Sequence, residues 1–432
     1  MTTLVPALTR RRALGLSAGA AALLALPRAG RAQDGSLTVL GHRVHESAAT
    51  SGPGGDATAA WRAASGTEIT WATLGDVSAI HERLLREASL AETSIDLAHL
   101  LNGRATPSSL SLFEPLDALM AQEPIEDFAD IAPGLLEPMR LEGTIRGIPV
   151  RHATNTLIYN EALFEERGVP LPRTFEDLVE AARRLTYRRP DGTRVYGLVF
   201  TPVFASNFLT FARALGADYM TPEGRIVASE APMVRALSIL AGLYKDGVLP
   251  RNMAVLNNEE VTTWMQQGRA AITTNPFARL VTYNDPQASR YPGRLKPMMT
   301  PMAADLVGKL AFASTTGVWS MVIPRNARRK QAAWGLIRAL SSKAGTLAMA
   351  LNGNGPVRLS TYAEPRLRES LPYAALEADA VAAARVDLPA FDEQSRAHDI
   401  FVEESLAAVL GMKPAETAMK DAIRRVQPLV RM

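Results

Sequence analysis

Short apolar runs alternate along most of this 432-residue chain with longer stretches in which apolar residues recur every three or four positions. The first pattern fits buried strands and the second amphipathic helices, so an α/β architecture with largely parallel sheets is expected. Residues 36–41 read as a first strand, followed by a Gly-rich loop at 51–55, a helix through Trp61 and a strand at 68–71. Val77, Ile80, Leu84 and Leu85 line one face of a helix, and residues 95–101 return to a strand. Residues 144–150 predict a turn and short strand, and 156–159 another strand. Asn160 caps a helix that stops at Gly168, and Thr174 opens the next as N-cap, with Asp177 in the capping-box position. Pro232 suits a first helical turn that leads to Val234, Leu237 and Leu240 and ends at Gly247. A strand at 318–323 closes at Pro324. Asn326 is expected to cap a helix carrying Ala333, Trp334, Ile337 and Leu340, and the last forty residues read as helical with a break at 411–414.

The N-terminus departs from this alternation. Arg10, Arg11 and Arg12 precede an apolar run at 14–26 and a small-residue stretch ending at Ala32. That is a charged region, a short hydrophobic region and a cleavage site, which marks a cleavable signal peptide at 1–32. The paired arginines followed by Ala13 and Leu14 fit the twin-arginine type. The run is shorter than the roughly 18 to 20 apolar residues that span a bilayer. Removing 1–32 takes five arginines from 47 Lys+Arg and leaves 42 against 44 Asp+Glu, a net charge of −2. The basic character of the whole chain therefore belongs to the export segment, and no nucleic-acid or anionic-membrane partner is indicated. The chain has no cysteine, which excludes disulfides, thiolate metal sites, a cysteine nucleophile and an N-terminal lipid anchor on cysteine. About 400 mature residues exceed what one core usually supports, so two lobes are expected.

Several segments in succession resemble the extracellular solute-binding proteins of ABC importers, in particular the class that binds sugars. Leu157-Ile158-Tyr159-Asn160, a helix to Gly168, then Pro172-Arg173-Thr174-Phe175 and a second helix are similar to that family's "leu-x-tyr-asn, helix, gly, pro-x-thr-trp, helix" segment. Gly143, Gly147 and Pro149 match its approach to that strand. Gly268 to Asn275 and Phe277, Gly317 with Trp319, Ile323 and Pro324, Ala332-Ala333-Trp334, and Pro356 with Arg358 follow in family order. The resemblance implies a two-lobed periplasmic-binding-protein fold of type II, with discontinuous lobes at 33–150 plus 300–352 and 153–298 plus 357–432. Crossings are expected near 151–155, 296–301 and 353–356. It implies a small-molecule solute of carbohydrate class, captured between the lobes by hinge closure and delivered to the permease membrane subunits by a periplasmic monomer. No cofactor or metal is implied.

Loop residues at strand C-termini are the usual ligand positions in open α/β sheets. By that rule and the resemblance, the candidate solute-binding residues are His42, Arg43, His45, Asn102, Arg104, Arg151, His152, Asn155, Asn275, Phe277, Thr316, Gly317, Trp319 and Arg358. His42 and His45 lack a third ligand at zinc spacing, so one is expected at the surface. Arg151 and His152 divide between solute contact and hinge hydrogen bonding, and Trp319 between cleft and core. Trp334 is expected in the core. Sugar sites stack rings on aromatic faces, whereas arginines pair with carboxylate or phosphate, so a neutral sugar, a sugar acid and a polyol phosphate all stay open. A non-sugar solute such as a polyamine, or a sensor role for a signalling partner, would carry the same features. Hydrolase, metalloprotease and phosphate-loop motifs are absent, so an enzyme is not expected.

Overall fold

The computed structural model describes residues 36–202 and 204–430. The expected export segment lies outside the described residues. Nine strands form one continuous sheet. Its first half runs Ile69–Leu74, Leu37–His42, Leu97–Leu101, Thr316–Val322 and then the long strand Ile148–Asn160. From that strand it continues to Ala270–Pro276, Arg194–Val199 and Tyr187–Arg188, with Leu295–Met298 also paired to the long strand. The sheet is mixed, which corrects the expected largely parallel one. Pairings are parallel about Leu37–His42 and between Arg194–Val199 and Ala270–Pro276, and antiparallel elsewhere. The long strand leaves the first half of the sheet as Thr316–Val322 enters it, so these two must run in opposite directions.

Two strands were expected on either side of residue 151, yet the chain stays extended through all 13 residues. The polar crossing keeps its backbone bonds because one ladder reaches Thr154 opposite Thr316 and the next begins at Asn155 opposite Pro276. A single strand therefore belongs to both lobes.

Apolar packing divides the chain into two lobes. Val39, Leu97, Val150, Val318, Trp334 and Ile337 share one core. Leu157, Phe175, Leu198, Phe208, Leu240 and Phe401 share the other. Val357, Tyr362, Leu367, Ala374 and Val381 pack in the first core, so most of 357–381 does not join the second lobe as expected, although Tyr373, Leu376 and Ala380 pack against Ile158 and Phe277. Conversely, Ala303, Leu306 and Phe312 pack in the second core, not the first. The chain thus crosses near 151–156, 313–316 and 382–387. The last two replace the expected crossings at 296–301 and 353–356. The crossing segments lie side by side: Asn155 N–H donates to Thr315 O, Thr316 N–H to Arg385 O and Arg385 N–H to Ser314 O.

Local signals hold where they were strongest. Thr174 and Asp177 form the capping box of Phe175–Arg184, and Asn160 Oδ1 caps Glu161–Glu166. Trp334 is fully buried, its Nε1–H donating to Glu123 O at 3.0 Å. Asn326 does not cap the following helix, which begins only at Lys330; its amide instead ties down Glu87 O and Leu90 O.

Candidate functional site

The strand Leu37–His42 runs directly into the helix Arg43–Thr50, and two histidines make the joint. Nδ1 of His42 accepts from Val44 N–H, and Nδ1 of His45 accepts from His42 N–H, both at 3.2 Å. The other nitrogen of His42 donates to Gly75 O at 3.0 Å. His45 is buried and stacks on His99 at 4.2 Å between ring centroids. Gly41 makes room for that stack, since a Cβ there would lie 2.6 Å from His99 Nδ1.

Trp319 is the centre of the group. In the sheet it stands opposite Leu101 on one side and Arg151 on the other. His81, from the helix Val77–Ala88, stacks on it at 5.5 Å and 19°, while His45 meets it edge-on at 4.8 Å. Nε2 of His81 accepts from Leu101 N–H at 3.2 Å. Asn102 is buried and its Oδ1 accepts from Val318 N–H, which fixes the end of the strand Leu97–Leu101 beside Trp319. Gly317 faces Ala153 and Asn102. Arg104 and Arg43 are exposed, with Arg43 reaching over Gly75. Arg151 is largely buried and donates to Asn354 Oδ1 at 3.2 Å.

Burial holds His45 well below the ordinary histidine range, and the charges of His99, Arg151 and His42 press it further down. Burial and then Arg104 push His81 down to about 4, and burial puts His99 there too. All three rings are therefore neutral at pH 7. His152 is fully enclosed, with Nε2 2.8 Å from the Tyr362 hydroxyl and 3.5 Å from Glu377. Burial lowers His152 to about 3 and raises Glu377 to about 8, so each of this contacting pair is driven towards its neutral form.

The structure brings together His42, Arg43, His45, Asn102, Arg104, Arg151, Gly317 and Trp319. It places the remaining candidates in other surroundings. Arg358 is 0% exposed, and its guanidinium is consumed by Ser341 O, Asp127 O, Glu126 O and Asp130, so it is a structural residue of the first lobe and not a solute ligand. Phe277 is 1% exposed and stacks on Tyr373, which leaves no free face for a sugar. Thr316 is bonded to Thr154, Asn275 to the Tyr283 hydroxyl, and His152 to Tyr362. The expectation of one surface histidine in the 42/45 pair gives way to a half-buried His42 and a buried His45.

On the second-lobe side, Asn155 Nδ2 lies 3.5 Å from Asn207 Oδ1, and Asn207 donates to Thr201 O at 2.7 Å. Phe204, at the start of the helix Ala205–Arg213, is exposed. The lobes touch where Ser395 Oγ donates to Gly103 O and Ser108 N–H to Asp392 Oδ1. His81, His99, Phe204 and Asn207 escaped the sequence reading. His81 had a legible signal, a polar residue between Ile80 and Leu84 on the buried face of its helix. A separate cavity of about 410 Å³, lined by Arg213, Asp218, Met220, Met302, Leu310 and Arg385, contains none of the candidates. Among the described residues no group of three or more His, Asp or Glu is arranged to hold a metal ion, and no helix is long and apolar enough to cross a membrane.

The family model "Bacterial extracellular solute-binding protein" matches residues 59–347. A Sinorhizobium fredii protein named "Probable amino-acid ABC transporter periplasmic-binding protein y4oP" is 22% identical over 311 residues, 68% of this chain and 66% of its own. The chain spans between about half and two thirds of the length of the first curated relatives it matches. Among solved structures, the sugar-binding protein MalE from Xanthomonas citri is 21% identical with a TM-score of 0.76, covering 91% of this chain and 96% of its own. A solute-binding protein of Agrobacterium radiobacter K84 in complex with ribitol is 19% identical with a TM-score of 0.74, covering 92% and 99%.

Proposed function

Since the chain belongs to the bacterial extracellular solute-binding proteins, we propose that it captures a sugar or polyol solute between its lobes and delivers it to the membrane subunits of an ABC transporter. The observation that carries this reading is the convergence of Trp319, Arg151, Asn102 and Arg104 where the chain passes between its two cores. A polyhydroxyl solute needs hydrogen-bond donors and acceptors from both sides and an apolar face to exclude water. Trp319, half-exposed between His81 and Arg151, offers the apolar face, and Asn155, Asn207 and Phe204 offer the opposing side. The ribitol complex and the sugar-binding protein among the structural neighbours favour the same class of solute.

The three side-by-side crossings are the hinge in this reading, and solute binding draws the loop after Leu101 and residues 392–395 together. Export through the N-terminal segment, with cleavage after Ala32, puts the working protein in the periplasm as a monomer with no cofactor and no catalytic role. A polyamine fits less well, because among the described residues no carboxylate pairs with any arginine of the group. The amino-acid name of the Sinorhizobium relative meets the same difficulty at the ammonium group.

The test is a thermal-shift screen of the purified protein against neutral sugars, polyols, their acids and phosphates, amino acids and polyamines. Stabilisation by a sugar or polyol derivative is expected, with about 2.7 kcal/mol at a hundredfold excess over Kd. Stabilisation only by an amino acid or polyamine would overturn the reading.

A further inference from the structure

The polar groups around Trp319 are unusually one-sided. Nδ1 of His45 accepts from a backbone N–H, and a neutral imidazole then carries its single proton on Nε2. Nε2 of His81 likewise accepts from Leu101 N–H, which puts its proton on Nδ1. These two forced donors, His45 Nε2 and His81 Nδ1, are both buried and without a partner. The rings are 1% and 3% exposed, and both lie against Trp319. A buried N–H left unpaired costs roughly 1–3 kcal/mol, so both rings add positive hydrogen-bond potential around the indole with no acceptor to balance it.

The arginines extend the same pattern. Arg151 lies beside Trp319 in the sheet and its charge acts on His45, while the charge of Arg104 acts on His81. Burial alone acts on Arg151, with no carboxylate to compensate it. Its one recorded side-chain partner is the neutral Asn354. Among the described residues, no Asp or Glu forms a hydrogen bond or ion pair with Arg43, Arg104 or Arg151, and no acid acts on His45 or His81. A largely buried cation without a carboxylate partner is expensive, and it becomes favourable when an anion is supplied. A negatively charged group suits the guanidinium groups that no carboxylate of the described residues pairs, since a carboxylate or phosphate accepts from several donors at once.

We infer that this protein selects polyhydroxyl solutes that carry an oxyanion, a carboxylate or a phosphate, and that Arg151 and Arg104 bind that oxyanion beside Trp319. The inference rests on the sugar or polyol reading above and narrows it. The neutral hydroxyls then fall to the second-lobe amides Asn155 and Asn207, and the charged end to the first lobe.

Isothermal titration of the purified protein with matched pairs decides the matter. The pairs are glucitol with gluconate, galactose with galacturonate, glycerol with glycerol phosphate, and glucose with glucose 6-phosphate. A charged member is expected to bind at least tenfold tighter than its neutral partner, with affinity falling as salt rises. The carboxylate and phosphate arms separate the two sources of the oxyanion. Arg151→Gln and the exposed Arg104→Gln should each lower the ratio of charged-member to neutral-member affinity about tenfold. Because Arg104 is exposed, its variant keeps the test valid if Arg151→Gln fails to fold. Neutral members binding as tightly as charged ones, or a charge preference untouched by the Arg104 and Arg151 variants, would overturn the inference and leave the sugar or polyol reading standing. Binding of no member of any pair would overturn both.

Discussion

Histidine 152 and glutamate 377 meet where the chain passes between lobes, and burial perturbs them in opposite directions. The folded protein holds His45, His81, His99 and His152 below the ordinary histidine value near 6.5. It therefore binds fewer protons at these sites than the unfolded chain does, and the stability associated with them is lost as pH falls below about 6.5. Glu377 runs the other way: its folded value near 8 lies above its unfolded one, so stability is lost as pH rises towards 8. Between about 6.5 and 8 the unfolded chain still releases the last of its histidine protons while folded Glu377 releases its own, so the two contributions oppose each other. In Glu377→Gln only the histidine contribution remains, and the unfolding free energy in urea is expected to rise more steeply with pH across that window than it does in the unsubstituted protein. Identical pH profiles for the two proteins would show that Glu377 does not titrate there.

Among the elements, the helix Phe175–Arg184 shows how much its ends matter. Asp177 accepts from the backbone N–H groups of Arg173 and Thr174, while Thr174 Oγ1 accepts from Asp177 N–H, so donors that the helix cannot satisfy internally are paired. Phe175, Leu178, Ala181 and Ala182 then face the second core. Thr174→Ala is expected to cost about 1 kcal/mol, read as a lower denaturation midpoint, with solute affinity unchanged. A change in affinity would mean that this helix communicates with the cleft. The long strand Ile148–Asn160 behaves differently, since its polar middle is held by neighbours on either side and not by its own propensity.

At the level of the whole molecule, the two lobes are built from interleaved pieces of chain. The second core needs Leu388, Phe391, Phe401, Val409, Met419 and Val426, which arrive only after the last crossing. Arg213 secures that crossing by donating to Ser314 O, Arg385 O and Val386 O, with Asp218 holding its guanidinium. A chain ending at residue 382 should therefore retain the first core and lose the second. Limited proteolysis is expected to remove residues near 157–313 and leave a fragment containing Trp334 protected. Equal protection of both regions would show that the second lobe closes without its C-terminal helices.

Sequence patterning by itself determined the alternation of helices and strands, the caps at Asn160 and Thr174 and the burial of Trp334, and chain length with the family motifs implied the two-lobed fold. These depend on contacts within a few residues, or on motifs that stand together in the chain. Only the tertiary structure decided the mixed sheet, the later crossings and the membership of most of 357–381 in the first core, because each depends on which distant strand a segment meets. The site divides in the same way. Strand ends at His42 and Asn102 were legible as loop positions, whereas the burial of Arg358 and Phe277 was not. A charge or aromatic ring is identical in the sequence whether the fold encloses it or leaves it facing the cleft.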